Sequence, residues 1–254
     1  MKFYKYQGTG NDFVMIDNRL GEWDDLSIEN IQKLCDRRFG IGADGLIKIN
    51  SAEDVDFEVD YYNSDGSKSF CGNGARCSVA FAHFLDMIED KTTFIAIDGI
   101  HEAEIKNGTV KLKMGDVNNI HTDGNDFVLN TGSPHYVKYV EMLNNYNVYK
   151  NGNEIRNSET YKQEGINVNF VEKLSDKELF VRTYERGVED ETYSCGTGVT
   201  AAALTFMKNN NQTFVGIKVM GGNLKVYAEK DGEGFKNIWL EGPAVQVFKG
   251  NINL

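Results

Sequence analysis

Two stretches concentrate the residues able to do chemistry: Phe70-Cys71-Gly72-Asn73-Gly74-Ala75-Arg76-Cys77 and Ser194-Cys195-Gly196-Thr197-Gly198-Val199-Thr200-Ala201. In each, a cysteine ends an extended run. Two glycines follow with one polar residue between them, and then an apolar helical pattern begins, through Ala75, Val79 and Ala82 in one and Val199, Ala201 and Leu204 in the other. Glycines at a helix start let a small anion approach bare N–H groups, where the helix dipole also favours negative charge. A thiol beside that positive end ionises more readily. Two such motifs in one chain point to one ligand held between two thiols. That arrangement suits inversion of a carbon next to a carboxylate: one thiolate takes the α-proton, and the other thiol delivers a proton from behind. The N–H groups of Gly72, Asn73, Gly196 and Thr197 would stabilise the charge that develops on the carboxylate. Neither a Schiff base nor a metal is required. Neither stretch has the lysine of a P-loop or continues as G-x-G-x-x-G.

The remaining cysteines, Cys35 and Cys77, read as small buried hydrophobes. Four cysteines are too few for a disulfide scaffold in 254 residues, and they lack the paired spacing of a zinc site. A hydrophobic content of 41% is ordinary for a globular chain, and the net charge of -11 argues against nucleic acid and anionic membrane surfaces. No apolar run approaches a membrane span and no secretory h-region opens the chain, so a cytoplasmic location is expected.

Positioning the two cysteines falls to a series of short strands and few helices. Strands are expected over 3–6, 13–17, 46–49 and 57–62, with a helix over 28–35 capped by Ser27. Asp98-Gly99 and Asn107-Gly108 mark hairpin turns among strands 94–97, 103–105 and 110–114. Strands 127–130, 135–140, 168–171 and 179–184 precede the second cysteine, and strands 215–219, 224–228, 238–240 and 245–248 follow it. The region 144–163 gives no clear pattern beyond a helix and a loop.

The series repeats. Cys195 lies 124 positions after Cys71, Gly132-Ser133 lies 122 after Gly10-Asn11, and Gly221 lies 122 after Gly99. A period this long means a duplicated domain. The expected fold is α+β, with two halves at 1–116 and 117–254 related by a pseudo-twofold axis and about 249–254 packing back onto the first. Each half is a mostly antiparallel sheet around one apolar helix. Such an axis would bring both cysteine-bearing helix starts to one cleft.

The chain resembles the diaminopimelate epimerase family of pyridoxal-phosphate-independent enzymes. The resemblance runs nearly end to end, through Gly8 to Phe13, Gly40 to Gly45, Asn63 to Gly66, Cys71 to Cys77, Pro134-His135, Asn167 to Phe170, Glu185-Arg186-Gly187 and Cys195 to Gly198. It implies a homodimer without cofactor or metal, acting on a small diamino dicarboxylate, with Cys71 and Cys195 as the acid–base pair. It also implies that Asn11, Asn63, Asn167, Glu185 and Arg186 read the distal, non-reacting end of that substrate. A guanidinium suits the distal carboxylate, and amides with a carboxylate suit the ammonium. His135 and Glu185 would tune the thiols through their charges. Ser133 stands where the family often has asparagine before Pro134-His135. A hydroxyl is shorter, so a water is expected to complete its contact with substrate. Three other readings predict different behaviour: another cofactor-free amino acid racemase on the same scaffold would turn over single-centred amino acids, a cysteine hydrolase using Cys71 would trap an acyl-enzyme, and an anion-binding module would tolerate loss of either thiol.

Overall fold

Ser27 has extended backbone and its hydroxyl accepts from the N–H of Asn30 at 3.2 Å, so the first helix begins where the sequence places its cap. In the computed structural model, which describes residues 1–210 and 212–254, that helix is α1 (Ile28–Cys35). The strands before it are β1 (Lys2–Gly8) and β2 (Asn11–Asp17). After it come β3 (Gly45–Asn50), β4 (Phe57–Asn63), helix α2 (Gly72–Phe84), β5 (Lys91–Ala96), β6 (Gly99–Lys106) and β7 (Thr109–Lys113). The chain continues with β8 (His121–Asp123), β9 (Asp126–Asn130), β10 (Pro134–Tyr139), helix α3 (Val148–Arg156), β11 (Asn167–Ser175), β12 (Glu178–Glu185) and β13 (Asp190–Thr192). It ends with helix α4 (Gly196–Lys208), β14 (Phe214–Val219), β15 (Gly222–Asp231), β16 (Gly234–Pro243) and β17 (Val245–Asn251). The unpatterned region 144–163 thus holds α3, capped by the Asn147 side chain on the N–H of Lys150.

The chain divides into two units, Met1–Leu112 with Gly242–Leu254, and Lys113–Glu241. In the first, β1 to β7 pair in chain order: antiparallel, parallel, antiparallel, parallel, antiparallel, antiparallel. In the second, β9, β10, β11, β12, β14, β15 and β16 pair in the same alternation of senses. A shared order of strand senses, with a helix at each parallel crossover, is the duplication written in hydrogen bonds. The division differs from halves at 1–116 and 117–254. The first unit closes at Leu112, and it reclaims the whole of 242–254 rather than only the last six residues. The reason is β17, which pairs antiparallel with β1 from Lys2↔Asn251 to Gln7↔Val245.

Each unit buries one helix almost all round. Gly72 to Val79, Phe81 and Ala82 of α2 are buried, as are Gly196 and Gly198 to Met207 of α4. A helix buried on nearly every side has no solvent face to offer and belongs inside its sheet, α2 with the polar side chains of Asn73, Arg76 and Ser78 buried along with it. In the first unit α2 packs on β1, β2, β3, β4 and β6, and in the second α4 packs on β9 to β12, β14 and β15. The outer helices make smaller cores: α1 places Ile31, Leu34 and Cys35 on Val14, Ile16 and Leu46. On the second unit Val148 of α3 joins Val168, Phe170 and Tyr184. Among the described residues no helix is long and apolar enough to cross a membrane.

Candidate active site

Both cysteines of the repeated motif are helix N-caps. Cys71 (φ -133°, ψ 115°) precedes α2 and Cys195 (φ -119°, ψ 112°) precedes α4. Their backbone carbonyls accept the first helical bonds, from Ala75 N at 2.8 Å and Val199 N at 2.9 Å. The first-turn N–H groups of any α-helix have no acceptor within the helix itself. Those of Gly72, Asn73, Gly196 and Thr197 therefore stand beside the thiol-bearing residues, at the positive end of the dipole.

In the first unit the Cys71 thiol donates to Asn11 Oδ1 (3.4 Å), which also accepts from Asn73 Nδ2 at 3.2 Å. The Asn11 amide nitrogen donates to Asp44 Oδ2 at 2.7 Å. Asn73 in turn accepts from the guanidinium of Arg76, 3.0 Å away and wholly buried in α2. The Asn11 side chain, expected among the readers of the distal end, lies against the sulfur of Cys71, and Thr9 of the turn before it accepts from Arg76 of α2. Asn63 ends β4 and belongs to a different cluster, accepting from Tyr61 Oη at 2.8 Å and donating to Ser67 and Ser69. The two other thiols are inert at neutral pH: burial pushes Cys35 up to about 11 and Cys77 up to about 12.

In the second unit Cys195 Sγ lies 3.5 Å from Thr197 Oγ1, and the Thr197 carbonyl accepts from Thr131 Oγ1 at 2.9 Å. Ser133, Asn167 and Arg186 form one cluster. Asn167 Nδ2 donates to Ser133 Oγ at 2.9 Å, Asn167 Oδ1 accepts from the Arg186 N–H at 2.9 Å, and Arg186 Nη2 reaches Ser133 Oγ at 3.4 Å. The Ser133 hydroxyl thus accepts from both neighbours directly. Arg186 Nη1 is held by the carbonyl of Glu164. Glu185 closes β12 and accepts from Thr192 Oγ1 at 2.8 Å.

His135 corrects an expectation. It is fully buried, and that burial, reinforced by the positive charge of Arg186, pushes its imidazole down to about 3. It is neutral at physiological pH, so it cannot tune a thiol as a cation. Its tautomer is set by Asn169, a residue to which the sequence pattern assigned no role. Asn169 Nδ2 donates both to the Tyr136 carbonyl (3.1 Å) and to His135 Nδ1 (3.0 Å), which leaves the ring proton on Nε2. That Nε2 is buried and has no hydrogen-bond partner. Asn169 Oδ1, accepting from Thr183, lies 2.2 Å from where a Cβ on Gly198 would stand, so the second motif requires glycine there. The missed signal was Asn-x-Asn on one strand: alternation puts Asn167 and Asn169 on one face of β11.

The sequence profile described as "Diaminopimelate epimerase" matches residues 3–120 and 127–247. The chain is similar to the diaminopimelate epimerase of Flavobacterium psychrophilum, at 52% identity over 99% of this chain and 100% of that one. It is also similar to that of Chlorobaculum tepidum, at 40% identity over 97% and 99%. Among solved structures the fold is similar to a Bacillus anthracis phenazine biosynthesis protein of the PhzF family, with a TM-score of 0.76, 14% identity and coverage of 100% and 99%. It is likewise similar to a probable proline racemase of Agrobacterium radiobacter, with a TM-score of 0.69, 13% identity and coverage of 100% and 93%. With a matched profile over both repeats and full-length relatives above 30% identity, this chain belongs to the diaminopimelate epimerase family.

Proposed function

We propose that this chain is an isomerase that interconverts LL- and meso-diaminopimelate without a cofactor, in the formation of lysine and cell-wall precursors. The observation that carries this reading is the twice-repeated cysteine N-cap on a glycine-opened, buried helix. One thiolate removes the α-proton while the other thiol delivers its own to the opposite face, and the roles exchange in the reverse direction. As the proton leaves, charge grows on the substrate carboxylate, and the N–H groups of Gly72, Asn73, Gly196 and Thr197 meet it. Asn11, hydrogen-bonded to Cys71, serves the reacting end. Ser133, Asn167 and Arg186, already joined, take the distal carboxylate and amine together with Asn63 and Glu185. His135, neutral with its proton on Nε2, contributes a hydrogen-bond donor.

The test is incubation with LL-diaminopimelate in D₂O. Meso product carrying α-deuterium is expected, and either Cys71→Ser or Cys195→Ser should lower the exchange by roughly 10²–10⁴-fold. Hydrolysis without exchange, or exchange surviving both changes, would overturn the reading. The same reading makes the protein a cytoplasmic homodimer, which the molar mass in solution checks for its oligomeric part.

A further inference from the structure

Four side chains form an unbroken polar line past Cys71, and its two ends fix the orientation of everything between. At one end is Arg76, which carries donors only. Its Nη2 bonds Thr9 Oγ1 at 3.2 Å and Asn73 Oδ1 at 3.0 Å, while Nε and Nη1 are buried with no partner. The space for that guanidinium comes from Gly8, where an added Cβ would lie 3.3 Å from Nη2. At the other end is the Asp44 carboxylate, which in its ionised form only accepts. Asp44 takes Asn11 Nδ2 at 2.7 Å and the Asp12 N–H at 3.2 Å on one oxygen, and Arg37 Nη2 at 2.7 Å on the other. Arg37 also clasps Asp12, which Lys5 contacts from β1 at 2.6 Å. Burial alone would raise the Asp12 carboxyl, but the bonds from Arg37 and Lys5 outweigh it and hold it down to about 2. Asp12 therefore stays ionised between Arg37 and Lys5, beside the Asp44 carboxylate that Arg37 also holds.

Between those ends the two amides have one consistent arrangement. A donor at Arg76 requires the Asn73 oxygen, so Asn73 presents its nitrogen to Asn11. Asn11 must then present its oxygen to Asn73 and its nitrogen to Asp44, and reading the line from Asp44 gives the same answer. The oxygen so placed is the atom that faces Cys71 Sγ at 3.4 Å. A carbonyl oxygen accepts from a thiol but offers nothing to a thiolate.

We propose that Asp44 is a positioning residue for the proton transfer at Cys71: by holding the amide nitrogen of Asn11 it turns the Asn11 oxygen to the sulfur, and it thereby keeps Cys71 in the thiol form in the unliganded enzyme. Cys71 then begins as the proton donor. Delivering its proton to the substrate carbanion breaks the S–H···Oδ1 bond and leaves a thiolate; taking up the α-proton in the reverse direction restores it. This assignment rests on the reading of Cys71 as an acid–base group.

The experiment is alkylation of the full-length protein by iodoacetamide across a pH series, with the modified Cys71 and Cys195 peptides quantified after digestion. Cys35 and Cys77, both buried, act as internal reporters of unfolding. Asp44→Ala removes the charge and the acceptor; Asp44→Asn removes the charge but keeps an oxygen for Asn11. The expected result is a Cys71 midpoint lowered by roughly one pH unit in Asp44→Ala, or about tenfold more thiolate below the midpoint, and a much smaller change in Asp44→Asn. The Cys195 midpoint should not move in either. Equal shifts in the two variants would show a charge effect alone, and no shift in either would remove Asp44 from the proton's environment; both overturn the proposal. Should Asp44→Ala expose Cys35 and Cys77, Asp44→Ser replaces it, since its hydroxyl is one bond too short to reach Asn11. Failure of the functional reading has a separate signature: Cys71→Ser would then retain α-deuterium exchange, whatever the alkylation profiles show.

Discussion

At the scale of single residues, protonation is decided by surroundings more than by residue type. Cys35 and Cys77 are pushed far above neutrality by desolvation, whereas Cys71 and Cys195 cap helices whose dipoles favour the anion, an effect that the Asn11 oxygen opposes at Cys71. His135 follows the same rule with opposite sign, because its charged form is the cation. Its pKa is depressed from 6.5 in the unfolded chain to about 3 in the fold. The unfolded state therefore binds the extra proton first. Stability from the neutral imidazole is complete above about pH 6.5 and is lost progressively as pH falls towards 3. Urea unfolding at a series of pH values should show that decline, and His135→Gln should flatten it. An unchanged slope in the variant would mean that His135 is not the group being titrated.

Helices α2 and α4 share a glycine-rich start, yet their glycines do different work. Gly198 is steric: a Cβ there would stand 2.2 Å from Asn169 Oδ1, the amide that holds His135 in its tautomer. Gly198→Ala should cost about 1–3 kcal/mol of stability, as overpacking does, and reduce activity with it. Gly72 is open, with the nearest atom, Leu112 Cδ2, 4.0 Å from the same test position. Gly72→Ala should leave the melting temperature unchanged or slightly higher, since alanine loses less backbone freedom in a helix. Its added methyl sits where a carboxylate would approach the N–H groups, so KM should rise by roughly tenfold or more. Thermal unfolding and steady-state kinetics on the two variants separate the roles, and matching behaviour would refute the distinction.

For the molecule as a whole, the duplication appears in the strand senses of the two units, and the terminal segment breaks the repeat by returning to the first unit. Besides the β17–β1 ladder, the Met1 ammonium donates to the Ile252 carbonyl at 2.8 Å, and the edge of Phe3 meets Phe248 with ring centroids 6.0 Å apart. Removing residues 245–254 should strip β1 of one hydrogen-bonded neighbour and weaken the first unit selectively. Hydrogen exchange is expected to accelerate at the amides of β1 while those of β11 keep their protection; equal loss in both would show that the segment acts on the chain as a unit.

Local pattern made much of this legible. The Ser27 cap and the bounds of α1, the hairpin turns at Gly99 and Gly108, and the two cysteine N-caps depend on residues a few positions apart, and so does the apolar character that buries α2 and α4. The repeat was legible too, because duplication preserves spacing. What the chain alone left open depends on partners distant in sequence. Strand β17 joins β1 across more than two hundred residues, Ser133 meets Arg186, and Asn11 turns its oxygen to Cys71 because Asp44 and Arg76 stand at the ends of the line. Hydrogen-bond polarity and the charge of a buried ring are set by which groups surround them once water is excluded, and only the folded chain chooses those groups.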